Sequence, residues 1–165
     1  MSLKDAHFHQ VLSAAALSGT PLADQFDTTT YSDSVSMKKY NKAYFFVYWG
    51  AVSGAGTADL TILASDDAGV TTEHATAIPF RYKHITVPDT NAAWVAAATV
   101  KTSGVASGMC IIEVNAEDLP LVAGVKYEYC RLKSIEDDNY TKLGGIIIIM
   151  DEPRYAQDVS EVVTA

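Results

Sequence analysis

The sequence predicts an all-β fold, an antiparallel β-sandwich (jelly-roll or Ig-like) of about eight strands with an N-terminal arm or short helix. Three observations predict it. Nine Tyr, five Phe and two Trp, set among many Val, Ile and Thr, favour strands. Apolar residues alternate at period two in several short segments. Turn residues separate those segments at intervals of roughly 10–18 residues, which suits a sandwich or barrel. One domain of 165 residues is long enough to bury a core without a metal or disulfide.

Residues 1–30 depart from the pattern and read as an arm and linker. Residues 3–17 can form a short helix, because Leu3, His7, Val11 and Ala14 recur at helical spacing and Ala14 to Ala16 favour helix. Gly19 and Pro21 break it, and residues 24–30 are polar and extended. Such an arm can wrap a neighbour or dock on its own body. The sandwich domain spans residues 31–156, and residues 157–165 form a polar tail.

Within the domain the strands follow in order. Residues 31–37 are a weak first strand. Residues 43–49 are the strongest, with Tyr44, Phe46 and Tyr48 on one face and Phe45, Val47 and Trp49 on the other. A strand apolar on both faces is central, or is covered by a partner. Gly50 to Gly56 is a small-residue turn, residues 58–65 a strand, and Asp66 to Gly69 an Asx-type turn. Residues 75–87 are extended, with Pro79 demoting them to an edge or bulge. Strands follow at 94–101 and 109–115, then a loop around Pro120 over 116–124. A strand at 126–133, an acidic loop at 134–140 and a last strand at 142–151 complete the domain.

Charge narrows the partners. Twelve basic against twenty acidic residues give −8, so no basic stripe offers itself to nucleic acid, and anionic lipid would be repelled. The longest purely aliphatic run, 146–150, is far short of the ~20 residues of a membrane span. Residues 1–17 do not read as a signal peptide, because Lys4 has Asp5 beside it and His7 and His9 precede the apolar run. Cys110 and Cys130 are expected as buried free thiols, or as a bridge if their strands are neighbours.

The motifs of catalysis are missing from the sequence. No nucleophile elbow, Cys-x-x-Cys, His-Glu-x-x-His or phosphate-binding loop occurs. His7 and His9 share a face only if extended, and no acidic or thiol cluster accompanies them. Asp66 and Asp67, Glu136 to Asp138, and Asp151 with Glu152 lack the spacing of a calcium loop and read as solvated turns. No cofactor or metal is expected, and an enzyme would need a pair such as His74 with His84 to converge.

Several stretches, in order, resemble the small decoration or cement proteins on the heads of tailed bacteriophages. Residues 31–37 (Tyr-Ser-Asp-Ser-Val-Ser-Met) precede the aromatic strand Ala43-Tyr-Phe-Phe-Val-Tyr-Trp-Gly50, and Thr61-Ile-Leu-Ala-Ser-Asp-Asp67 runs into an acidic turn. Ala77-Ile-Pro-Phe-Arg-Tyr82 precedes Asp89, Thr90 and Trp94. Ile111-Ile-Glu-Val114, Asp118-Leu-Pro120, Tyr127-Glu-Tyr-Cys-Arg-Leu132 and Glu152-Pro-Arg-Tyr-Ala156 follow.

The resemblance implies a β-sandwich on the outer surface of a phage capsid, within the virion and, during assembly, in the host cytoplasm. Its partner would be the major capsid protein, with the chain bound to the shell as a trimer, a dimer or a monomer, and no nucleic acid or membrane. Leu3, Phe8, Val11 and Leu12 are the candidate arm anchors, unless they fold back onto the body. Arg81 with Tyr82, and Arg131 with Tyr129, are candidate contacts, unless they pair with carboxylates inside the fold. Other readings are a head–tail joining or tail-tube protein, which should form a ring, and a carbohydrate-binding module. The last predicts Trp49 and Trp94 exposed side by side.

Overall fold

The computed structural model describes residues 7–10, 24, 26–54, 56–87, 92–104, 106–138 and 140–154. Their elements are β1 (His7–Gln10), β2 (Thr29–Tyr31), β3 (Val35–Ser36), β4 (Tyr40–Val52), β5 (Ala58–Ser65) and β6 (Phe80–Ile85). Then come β7 (Val95–Ala97), β8 (Thr99–Lys101), β9 (Gly108–Asn115) and a 3-10 turn (Ala116–Asp118). The chain ends with β10 (Leu121–Val122), β11 (Val125–Lys126), β12 (Tyr129–Glu136) and β13 (Lys142–Pro153). Among the described residues no α-helix occurs, and the fold is an antiparallel all-β sandwich.

The larger sheet has six strands in the order β1-β13-β4-β9-β6-β7. The smaller runs β2-β12-β5-β8, with β3 also on β12. From β4 onward the chain crosses repeatedly between sheets, with only β6 and β7 following one another within one and the β10–β11 hairpin outside both, so each long strand meets its sheet neighbours from afar in sequence. Alternation then builds the core. Phe45, Val47 and Trp49 of β4, Ile112 and Val114 of β9, and Ile146, Ile148 and Met150 of β13 are buried from one side. Leu60 and Ile62 of β5 and Cys130 and Leu132 of β12 are buried from the other.

The strands expected at 43–49, 58–65 and 109–115 sit where alternation put them. The expected strand at 94–101 is split: β7 pairs with β6 in the larger sheet and β8 with β5 in the smaller, with Ala98 between them. It is a corner strand, and period two does not reveal a change of sheet. Pro79 lies just before β6 rather than inside it, so no ladder bond is lost. The loop expected at 116–124 holds half of a hairpin, β10–β11, too short for alternation to register. Loop was also expected over 134–136, which belongs to β12.

Two corrections concern the arm. An arm or a short helix was expected over 3–17, and the described part, His7–Gln10, is not helical but a strand, paired antiparallel with β13 from His7↔Met150 to Gln10↔Ile147. The open edge of β13 supplies ladder hydrogen bonds, and that tertiary pairing outweighs a weak helical propensity. The boundary at 31 does not hold either. Phe26 is 2% exposed within the core, and Thr29–Tyr31 pairs with β12. A lone Phe in a polar stretch gives no periodic signal. The polar tail, residues 157–165, lies outside the described residues.

Phe26→Ala tests this attachment. Loss of a buried aromatic should cost about 3–5 kcal/mol in urea unfolding, whereas a residue of a solvated linker would cost under ~0.5 kcal/mol.

Candidate interaction surfaces

The outer face of the larger sheet is apolar across three adjacent strands. Tyr44, Phe46 and Tyr48 of β4 stand beside Glu113, Ile111 and Met109 of β9, and on the other edge beside Ile149, Ile147 and Gly145 of β13. Phe46, Tyr48, Met109 and Ile111 are half-buried, and Ile147 is exposed. Gly145 keeps this face flat, because a Cβ there would lie 2.5 Å from the Tyr48 hydroxyl. The outer face of the smaller sheet differs, carrying Thr61, Arg131 and Lys133.

One end of the apolar strip is charged. A groove of about 550 Å³ is lined by Lys42, Arg81, Glu113, Asn115 and Asp118, among others. Tyr44 Oη donates to Glu113 Oε2 at 2.8 Å, and burial together with that carboxylate raises the Tyr44 pKa. Lys42 pairs with Glu152 at 2.7 Å, and this contact raises its pKa. With both signs present, the groove has no strong net field to attract a simple ion.

The candidate contact residues are dispersed. Arg81 is exposed on the outer face, opposite Glu113, while its neighbour Tyr82 is half-buried against the core. Adjacent strand residues point to opposite faces, so the two do not form one patch. Arg131 is used within the fold. Its Nε donates to Glu73 Oε2 at 2.9 Å, and its guanidinium lies 4.0 Å from the Tyr31 ring centroid. Phe8 is at the register position opposite Ile149, so β1 folds back onto the body. Leu3, Val11 and Leu12 lie outside the described residues.

The remaining reactive groups are separated. His74 lies in a loop, with its ring against Tyr127 and Nδ1 3.0 Å from Thr76 O. His84 lies between the rings of Trp49 and Tyr82, and burial lowers its pKa. The two histidines share no partner. Cys110 and Cys130 are buried free thiols, one in each sheet, and burial pushes both up to about 12. Trp49 is 3% exposed while Trp94 is 39% exposed with Lys83 over its ring, so they form no paired sugar platform. Among the described residues no group of three or more His, Cys, Asp or Glu can hold a metal.

Sequence inspection gave no hint of Lys142. Alternation along β13 turns it inward, where it is 2% exposed. Its Nζ donates to Thr102 Oγ1 at 3.2 Å and Ser103 O at 3.1 Å, and lies 5.1 Å from the Trp49 ring centroid and 5.7 Å from that of Phe26. Its backbone N–H donates to Asp24 Oδ1 at 3.2 Å. Rings and neutral acceptors do not offset the lost hydration of an ammonium, so burial lowers its pKa. Sequence context could only have flagged it as a Lys on the inner parity of an apolar strand.

Comparison with protein-family models, with curated proteins and with solved structures gives no match.

Lys142 titrates below its ordinary 10.5 when folded. The native state therefore disfavours the charged form. The penalty is full below the folded pKa and fades as pH rises from there through 10.5. Lys142→Met removes the penalty. The stability of the natural chain, measured against Lys142→Met by urea unfolding from pH 7 to 10.5, should rise across that window. A difference independent of pH would show that the buried amine is not the cause.

Proposed function

We propose that this chain is a structural protein of a tailed-phage virion. It binds the outer surface of the capsid and stabilises the shell by bridging neighbouring major capsid protein subunits. One observation carries the reading: the strip of Phe46, Tyr48, Met109, Ile111 and Ile147 on the outer face of the larger sheet. A flat apolar strip beside charged groups has the anatomy of a protein-docking surface, with an apolar centre and a polar rim. The order of motifs that resembles head decoration proteins supplies the partner.

The mechanism is mass action on the lattice. Each copy spans adjacent subunits, so expansion or rupture of the shell must break its contacts. A standard interface buries ~1,600 Å² in total, and many symmetric copies act together.

Co-sedimentation with assembled shells of the source phage tests the reading, using the full chain because one starting at Tyr31 would lack β1 and Phe26. Saturable binding is expected. Ile147→Glu should weaken it at least ~10-fold by placing a charge in the apolar contact. Lys133→Gln, on the outer face of the smaller sheet, should leave it unchanged. A full chain that stays in the supernatant would sink the proposal.

A further inference from the structure

The outer face of the larger sheet changes character from β4 toward its β7 edge. Strand β6 sets Arg81, Lys83 and Ile85 beside Glu113, Ile111 and Met109 of β9. These β6 positions share one face at period two, so the apolar strip continues into Ile85 and there meets two cations. Lys83 Nζ lies 4.8 Å from the ring centroid of Trp94, which is exposed just before β7. At Ile85 the strip also opens into a pocket of about 240 Å³, walled by Val87, Gly108 and Met109 as well. No charged side chain lines it. Gly108 leaves backbone at its wall because the Trp49 ring lies behind: a Cβ there would be 2.7 Å from Trp49 Cζ2. The space is smaller than the ~300–1,000 Å³ of small-molecule sites and suits a single apolar side chain.

The charges of this face are committed unequally. Glu113 accepts the Tyr44 hydroxyl at 2.8 Å, Asp118 accepts Asn115 Nδ2 at 3.0 Å, and Glu152 holds Lys42 at 2.7 Å. Arg81 is exposed and makes no ion pair among the described residues. On the smaller sheet, by contrast, Arg131 is held by Glu73 and Lys101 by Asp137. A chain of net charge −8 thus leaves an uncommitted guanidinium beside its apolar face. The complement of such a group is a carboxylate brought by the partner. A polyanion would meet the repulsion of the whole chain, whereas a single carboxylate feels mainly the charges within a Debye length of about 8 Å.

On the shell reading above, on which this rests, we infer that the face takes an acidic, apolar-anchored segment of the capsid subunit. Its carboxylate lies against Arg81 and Lys83, and one apolar side chain fills the pocket beside Ile85. Arg81 and Ile85 are four residues apart on one strand, on the order of 13 Å. An extended segment spans that distance between its own side chains i and i+4, which share a face. The guanidinium supplies direction, because it meets a carboxylate with two parallel hydrogen bonds. The pocket supplies register, because it admits the anchor and no charge.

Co-sedimentation with assembled shells of the source phage, as sodium chloride is raised, tests the inference. Four full-length variants at partly or fully exposed positions are compared, each with unchanged circular dichroism. Binding of the natural chain should weaken with salt. Arg81→Glu should weaken it at least ~10-fold and flatten the salt dependence. Lys133→Glu on the smaller sheet, with the same change in net charge, should stay within ~2-fold. Glu117 is exposed and lines the same groove as Arg81, so Glu117→Lys should tighten binding ~3-fold or more. Val87→Ser makes the pocket wall polar and should weaken binding ~3-fold with the salt dependence kept. Shell binding that ignores salt, that tolerates Arg81→Glu as well as Lys133→Glu, or that weakens with Glu117→Lys would overturn the acidic segment and leave the shell reading standing. A natural chain that does not sediment with shells removes both.

Discussion

Strand β4 has a long neighbour along each edge and apolar side chains on each face, and the rest of the molecule is arranged around that constraint. Its inner residues, Phe45, Val47 and Trp49, are buried only because the smaller sheet lies over them. Its edges are satisfied by β13 and β9, which come from far along the chain. Short local connections cannot deliver such partners, so the chain shuttles between the two sheets and must close long loops before the core forms. The outer residues of β4 have no second sheet over them. They account for the apolar strip on which the functional reading stands.

A second constraint acts at one end of the sandwich. Lys142 enters the interior between Trp49 and Phe26, and Thr102 ties it to the edge of the smaller sheet. Thr102 Oγ1 also accepts the Ala58 N–H at 2.9 Å, so one hydroxyl serves β5 and the lysine together. A buried amine with only neutral partners lowers stability. It also draws β4, β13, the segment after β8 and the segment before β2 to one point. That end of the sandwich is therefore defined by polar contacts, while its middle is defined by aliphatic ones.

The distribution of charge supports a division of labour between faces. In the smaller sheet, Arg131 is absorbed by Glu73 and Tyr31, and Lys101 by Asp137 at 2.7 Å. These outward cations mostly answer the protein's own carboxylates. The larger sheet leaves aromatic and aliphatic surface half-exposed, while the chain as a whole carries a net charge of −8, whose self-repulsion opposes indiscriminate association.

By itself, the sequence determined the class of fold, the long strands β4, β5 and β9, and the two-faced nature of β4. Alternation and turn residues are local properties that survive without a partner. It left the use of the faces open, because period two says which residues share a face but not which sheet covers it. Tertiary structure alone decided that residues 7–10 extend a sheet rather than a helix, that Phe26 is core, and that residues 94–101 serve both sheets. It alone placed Arg81 and Tyr82 on opposite faces, Lys142 between two rings, and the two-residue strands of the hairpin apart from the body. Each of these depends on hydrogen bonds or burial supplied by residues distant in the chain, and no local pattern records where such residues will be.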